Sequence, residues 1–268
     1  MGAFELLQNK IDDIRFRGFG GTTIQMHRAI KQVKLSRANV VLAVCLPPIF
    51  NLLLLALLGP MLAMWEAIFG YWTGSLAPHA TLGTHVIDLG RYIALISYPQ
   101  LSAEEPGFYC FMLTVFVSLL LYLLTFRVTP DHMLPLMYIV RACMIIQATA
   151  LLYFYLWPGR FPHRADAILA DALTMSVYFM FLIPWLLGLT FYIFNFTIWQ
   201  KMGATVLMLL YFAVALPMQY LAHALILHHF SLLFLPILYL VFGIFIDIMM
   251  FVALYSWAMS WESPGRPV

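Results

Sequence analysis

The sequence predicts an all-α polytopic membrane protein with six transmembrane helices and an N-terminal amphipathic helix at the membrane surface. Hydrophobic residues make up 63% of the 268 residues and charged residues only 10%, whereas soluble domains carry about 25% charged residues. The mean hydropathy is +0.90. The apolar residues also form continuous runs of about 20 residues or more, the length of helix that crosses a hydrocarbon core of about 30 Å.

Six apolar runs follow the N-terminal segment, and none alternates apolar with polar residues as a transmembrane β-strand would. Short connections join the second to sixth runs, which predicts sequential antiparallel packing. The predicted spans are 39–65, 108–126, 133–157, 172–195, 202–227 and 231–258. The chain therefore divides into an N-terminal segment (1–38), a membrane bundle (39–258) with a loop at 66–107, and a tail (259–268).

The N-terminal segment carries an apolar stripe at helical spacing, with basic residues around it. This pattern favours a helix lying in the headgroup layer of an anionic leaflet. A docking surface for a cytoplasmic partner is the alternative. The stripe is Phe4, Leu7, Ile11, Ile14 and Phe16, and the basic residues assigned to the membrane-surface anchor are Lys10, Arg15, Arg17, Arg28, Lys31, Lys34 and Arg37.

Lysine and arginine bias predicts the orientation. With the N-terminus inside, ten of these residues fall on the inner side and three, Arg91, Arg160 and Arg164, on the outer side. Positive residues are retained in the cytoplasm, so both termini are predicted to be cytoplasmic. The short loops and this bias favour a bacterial inner membrane.

Two details of the first span and its following loop affect the predicted fold. Pro47 and Pro48 predict that the first span kinks, or that its full helix begins near Pro47. In the loop, residues 85–97 place Val86, Leu89, Ile93 and Ile96 at helical spacing. This spacing predicts a short helix on the outer membrane surface, with Asp88 and Arg91 paired three residues apart.

Two charged residues stand far from any predicted span end: Arg141 in the third span and Asp247 in the sixth. At 1.5 Å per residue both Cα atoms lie about 14–15 Å deep. An ionisable side chain at that depth costs about 2.5–3.5 kcal/mol on insertion scales and usually faces the bundle interior. We therefore expect an intramembrane ion pair that is either structural or part of an ion or proton pathway. Separate partners in another subunit are the alternative.

Other polar residues in the spans form a candidate polar track of Gln147, Gln219, His223 and Tyr239. His223, His228 and His229 are close in sequence, but no other span offers a histidine at matching depth. We therefore expect no metal and no cofactor. The three cysteines lie in apolar segments without metal-site spacing and read as small hydrophobic residues.

An outer loop holds a candidate headgroup patch of Arg160, His163, Arg164 and Asp166, followed by Asp171. Arginine and histidine together could bind a phosphate or sugar-lipid headgroup, although solvated loop residues are the simpler interpretation. Nucleophile, metalloprotease and P-loop motifs are absent from the sequence, so an enzyme is not favoured.

The leading functional hypothesis is a non-catalytic integral membrane subunit of a cell-envelope assembly, such as one for secretion, conjugation or polysaccharide export. Its expected partners are the lipid bilayer and other membrane or envelope proteins. The small net charge of +2 argues against nucleic acid. Two rivals remain: an ion- or proton-coupled carrier or channel that uses Arg141 and Asp247, and a membrane enzyme acting on a lipid headgroup at the outer face.

Overall fold

The computed structural model describes residues 37–76, 81–100, 105–127, 133–162, 164–191 and 196–260. Six helical segments in this part of the chain are long and apolar enough to cross a membrane. The predicted all-α polytopic fold with six spans is therefore confirmed. The predicted N-terminal amphipathic helix and six of its seven anchor residues lie outside the described residues, as do His79, His163 and the tail from 261.

The helices and strands follow one another with short connections. They are α1 (Arg37–Leu76), β1 (Thr81–Asp88), β2 (Ile93–Gln100), α2 (Phe108–Arg127), α3 (Leu134–Leu156), α4 (Ala165–Phe191), α5 (Ile198–His229), α6 (Leu235–Tyr239) and α7 (Ile246–Met259). The sixth span is composite: a 3₁₀ turn at Leu232–Phe234, then α6, then a π-helical stretch at Leu240–Phe245, here called the π segment, and finally α7.

α1 is longer than predicted. It has 40 residues, about 60 Å at 1.5 Å per residue, roughly twice the thickness of a hydrocarbon core. The helix does not start at Pro47 or end at residue 65, because it continues through Pro47, Pro48 and Pro60 to Leu76.

Burial and one hydrogen bond explain why α1 continues past residue 65. Trp65 and Phe69 are fully buried, and the indole Nε1 of Trp65 donates to the backbone carbonyl of Ala213 in α5 at 2.7 Å. That carbonyl lies four residues before Pro217, which has no N–H to offer it. Trp65 thus supplies the hydrogen bond that the proline removes, and it ties α1 to α5.

Residues 81–100 form an antiparallel β-hairpin, so the predicted surface helix at 85–97 is wrong. Thr81 pairs with Gln100 at the open end and Asp88 with Ile93 at the turn. Gly90 has a φ of +80°, and its N–H donates to the carboxylate of Asp88 at 2.8 Å. A helix cannot contain that backbone conformation, and Asp88 is therefore bound by the turn and not by Arg91.

The hairpin packs between α1 and α4. Ile87 and Ile96 are fully buried, one from each strand. The phenol of Tyr178 in α4 donates to the carbonyl of Asp88 at 3.0 Å, which fixes the turn beside the middle of that helix. The hairpin is thus part of the core.

α1 and α4 lie close together at Gly188. A Cβ atom there would lie 2.5 Å from Cγ of Pro47 and 2.9 Å from the carbonyl oxygen of Ala43. Small residues permit such close helix crossings in membranes. α1, α4, α5 and the hairpin form one core, with Leu173, Ile183 and Leu216 fully inside it.

α2 and α3 form an antiparallel pair outside this core, here called the arm. The buried residues of α2 are the polar ones, Thr114, Ser118 and Thr125. The arm packs on the first part of the sixth span, where Gln147 of α3 donates through Nε2 to the carbonyl of Leu233 at 3.1 Å. The predicted antiparallel neighbours are found for α2 with α3 and for α4 with α5.

Candidate functional site

A cluster of polar side chains lies between α5 and the sixth span, where the π segment interrupts the α-helix. In a π-helix the hydrogen bonds run from i to i+5, and such interruptions are frequent at functional sites. Gln219 of α5 donates through Nε2 to the carbonyl of Phe242 at 2.8 Å. The imidazole of His223, one turn further along α5, lies beside the same carbonyl.

Gly243 allows the π segment to approach α5. A Cβ atom at this position would lie 3.3 Å from the carbonyl of Leu238, 3.9 Å from the Tyr220 hydroxyl and 4.0 Å from Cε1 of His223. The ring of Tyr220 meets the imidazole of His223 edge-on, with centroids 5.4 Å apart. A Cβ at 243 would therefore be tight only against the Leu238 carbonyl of its own span, and it would touch Tyr220 and His223 at ordinary van der Waals distance.

Asp247 follows the π segment, and its side chain turns into the same region. It is 8% exposed and lies beside the side-chain amide of Gln219. The phenols of Tyr211 and Tyr220 are close enough to feel its charge. We call Gln219, Tyr220, His223, Tyr239 and Asp247 the polar cluster.

His223 separates two cavities. One, which is small at about 20 Å³, lies between α4, α5 and α6 and is lined by Tyr220, His223 and Tyr239 among apolar side chains. The other, of about 260 Å³, lies between α5 and the sixth span and is lined by Gln219, His223 and Phe242. The imidazole is 6% exposed and borders both spaces.

The expected ion pair between Arg141 and Asp247 does not form. Among the described residues, the ion pairs within 4.0 Å are Arg164 with Asp166 and His85 with Asp171. Arg141 instead donates through Nε to the hydroxyl of Thr125 at 3.0 Å and through Nη2 to the Thr125 carbonyl at 2.9 Å. Its guanidinium also lies over the ring of Phe126, 4.3 Å from the centroid.

Side-chain direction explains the contact with Thr125. Side chains on a helix lean toward its N-terminus, so Arg141 reaches from α3 toward the end of the bundle where α2 ends. The Thr125 carbonyl is one of the last four of α2, which lack helical donors, so Arg141 caps that helix.

Helix register places the Cα atoms of Arg141 and Asp247 at different levels along the bundle. Gln147 contacts Leu233, and from this contact Arg141 lies six residues along α3, or about 9 Å. Asp247 lies fourteen residues along the sixth span, or about 21 Å if that span were α-helical throughout. Arg141 and Asp247 therefore do not lie at the equal depths that were inferred from the ends of their spans.

The four residues of the candidate polar track lie in two separate places in the structure. Gln219, His223 and Tyr239 join Asp247 in the polar cluster. Gln147 is 2% exposed but belongs to the contact between the arm and Leu233, and its Oε1 has no hydrogen-bond partner among the described residues.

The candidate headgroup patch is not assembled as a converging set in the described residues. Arg164 pairs with Asp166 at 2.7 Å, and this carboxylate raises the pKa of the exposed guanidinium above its ordinary value through hydrogen bonding and charge. Asp171 lies 4.0 Å from His85 of the hairpin, and Arg160 accepts a hydrogen bond from Tyr153 through its backbone carbonyl.

The histidines and cysteines bring no metal site together in the part of the chain that the structure describes, where no group of three or more His, Cys, Asp or Glu side chains could hold an ion. The imidazole rings of His228 and His229 meet edge-on at the end of α5. The cysteines Cys45, Cys110 and Cys143 are free thiols.

Sequence reasoning missed several members of the site and its surroundings. Tyr220 and Ser176, whose side chains lie beside each other, were hidden among the many aromatic and small residues of the spans. The π segment has no sequence signal apart from Gly243. Lys201, counted as a cation of the inner surface, is 1% exposed in the first turn of α5.

In comparisons with known proteins, no family model, no curated protein and no solved structure matches this chain. The fold defines the class as a polytopic integral membrane protein with six candidate spans in the described residues. Function must therefore be argued from the arm and the polar cluster themselves.

Proposed function

We propose that this protein is a non-catalytic integral membrane subunit of a multi-protein cell-envelope assembly, and that the arm docks a transmembrane helix of another subunit. The observation that carries the proposal is the uneven burial of the spans. In the most apolar window of α2 only 11% of residues are buried within the chain, against 56% for α4.

The arm is also loosely packed. A cavity of about 290 Å³ lies between α2 and α3, lined by Val115, Ser118, Tyr122, Met144 and Leu151 among others. The outer faces of α2 present large apolar side chains such as Leu113 and Phe116, each 63% exposed. A partner helix would cover these faces and fill the cavity by van der Waals packing, which drives helix association in membranes.

Arg141 indicates which type of side chain the partner helix would carry. A guanidinium has five N–H donors, and Arg141 uses two of them on Thr125. Its side chain is only half-buried. A carboxylate on the partner helix could bind the remaining donors, because arginine pairs with carboxylates through parallel hydrogen bonds. We propose further that both termini are cytoplasmic in a bacterial inner membrane, which reporter fusions at each terminus can test.

Site-specific photocrosslinking in native membranes tests the docking. A photoreactive residue at Phe116 should capture one protein whose crosslinked helix contains an Asp or Glu. The same probe at Leu210, which is 61% exposed on α5, is the matched control and should capture lipid. Arg141→Gln should reduce the Phe116 adduct at least fivefold, whereas Arg160→Gln should not. Lipid adducts alone at Phe116, or a second copy of this chain, would contradict the proposal.

A further inference from the structure

The polar cluster contains a buried carboxyl group and a buried imidazole, which docking of another subunit on the arm does not require. We propose that it is a proton-binding site, in which Asp247 takes up and releases a proton and His223 passes that proton to and from the cavity lined by Tyr220 and Tyr239. This inference goes beyond the proposed function and rests on a different part of the molecule.

The first argument is the isolation of the carboxyl group. Asp247 is 8% exposed, lies within a span, and has no Lys or Arg within ion-pair distance among the described residues. An ionised carboxylate removed from water without a counter-charge is strongly disfavoured. A proton is the smallest ligand that neutralises it, and intramembrane carboxylates commonly mark proton relays.

The second argument is the set of groups that face Asp247. Tyr211 and Tyr220 of α5 lie close enough to Asp247 to feel its charge, and Tyr220 in turn lies beside His223, Tyr239 of α6 and the hydroxyl of Ser176 in α4. Every one of these groups can be neutral, and each can donate or accept a hydrogen bond. The cluster is built to hold a movable hydrogen and lacks a fixed positive charge.

The donor set also favours a proton over a metal cation. Calcium and magnesium take six or more oxygen ligands. The cluster offers one carboxylate, one amide oxygen at Gln219 and the Phe242 carbonyl, which already accepts from Gln219. No group of three or more metal-ligating side chains occurs here or elsewhere in the described residues.

The third argument is the position of His223 between the two cavities. In the proposed relay the O–H bond of the Asp247 carboxylic acid breaks as an O–H bond forms on the Tyr220 phenol, and the phenol's own proton passes to the imidazole of His223, which the Tyr220 ring meets edge-on. A carboxylate and an imidazolium result, with no change in total charge. Loss of a proton from the imidazolium to the Tyr220–Tyr239 cavity leaves His223 neutral again. Histidine performs this shuttling because its two ring nitrogens are distinct.

Infrared spectroscopy of the purified protein in lipid tests proton binding directly. The protein should show the carbonyl stretch of a protonated carboxylic acid that disappears as the pH is raised. Asp247→Asn should abolish this band. Asp171→Asn, a change at an exposed carboxylate, is the matched control and should retain it. An identical band in Asp247→Asn, or a band that never titrates, would overturn the proposal.

Exchange into heavy water tests the role of His223. The deuterium shift of the Asp247 band should appear at least tenfold more slowly in His223→Gln than in the wild type, whereas His85→Gln, an exposed histidine of the hairpin, should exchange normally. An unchanged rate in His223→Gln would reject the relay. Displacement of the proton by sodium ions at constant pH would show a cation site instead. Asp247→Glu keeps a carboxyl group if the asparagine variant does not fold, and its band should shift in frequency and titrate.

Discussion

Arg141 is held by Thr125, a residue sixteen positions earlier in the chain, through one bond to its hydroxyl and one to its carbonyl. A positive charge in an apolar span is thereby used at the C-terminal end of a neighbouring helix, where cations are favoured by the helix dipole. The long aliphatic stem of arginine makes this possible, because it lets the charged group leave the level of its own Cα atom.

The first prediction concerns this contact. Arg141→Gln should destabilise the protein by about 1.5–3 kcal/mol, the usual range for hydrogen bonds to a charged group. Thr125→Val should cost less, because the carbonyl bond remains. The double variant should lose less than the sum of the two single losses, as measured by unfolding in mixed micelles. Strict additivity would show that the bond to the Thr125 hydroxyl contributes nothing.

The second prediction separates Arg141 from Asp247. Arg141→Gln and Asp247→Asn should have additive effects on the free energy of unfolding within about 0.5 kcal/mol, as distant sites do. The physical reason is that no ion pair joins them in the structure. A coupling energy well above that range would restore the ion pair that the spacing of charges in the sequence suggests.

The third prediction tests the crossing of α1 and α4. Gly188→Ala should destabilise the protein by about 1–3 kcal/mol, the usual cost of overpacking, because the new methyl group meets Pro47 and the Ala43 carbonyl. Gly203→Ala is the matched control in α5, where a Cβ meets nothing within 4 Å. Thermal unfolding in detergent should show a loss for the first variant and none for the second.

The fourth prediction concerns Trp65 and the carbonyl of Ala213. Trp65→Phe leaves that buried carbonyl without a partner and should cost about 1–3 kcal/mol. Pro217→Ala supplies a backbone N–H, so adding it to Trp65→Phe should recover part of the loss in the same unfolding measurement. If the added change deepens the loss, the carbonyl was not the cause.

The fifth prediction concerns the hairpin turn. Gly90→Ala should destabilise the protein by about 1–2 kcal/mol, because an L-residue is disfavoured at a φ of +80°. Gly107→Ala, where a Cβ meets nothing within 4 Å, is the control. Differential scanning fluorimetry of both variants checks the difference, and equal melting temperatures would argue against the turn conformation.

Hydropathy located the ends of the second and third spans within one residue, placed the start of the fourth seven residues too late, and failed at α1. The predicted second span, 108–126, differs from α2 by one residue at its end, since Gly107 and Arg127 bound a continuous apolar run. The prediction missed the part of α1 beyond residue 65 because hydropathy reports only how well a segment suits hydrocarbon. The end of a helix depends on its local packing. The fully buried Trp65 and Phe69 provide that packing.

The hairpin was mistaken for a helix because Val86, Leu89, Ile93 and Ile96 satisfy a helical period by coincidence. In the structure Val86 is 55% and Ile93 75% exposed, while Ile87 and Ile96 are fully buried. The deciding signal was Gly90 between two segments that carry the β-branched residues Ile87 and Ile93. A periodicity that spans a glycine turn is therefore weak support for a helix.

The polar cluster was predictable in part. Gln219, His223 and Asp247 stood out as polar residues in apolar runs, and polar groups in spans usually face one another. Their separation from Arg141 was not predictable, because composition gives the approximate depth of a Cα atom but neither the direction of the side chain nor the register between helices.

The π segment carries a consequence for any change in chain length. A π turn holds about one residue more than an α turn, and each residue of an α-helix advances the face by about 100°. Deleting a single residue within Leu240–Phe245 would let the sixth span close into regular α-helix. Because the π turn had absorbed that residue, α7 would keep nearly the same face toward α5 and Asp247 would remain near Gln219. A residue deleted from regular α-helix has no such compensation, and every later side chain would rotate by about 100°.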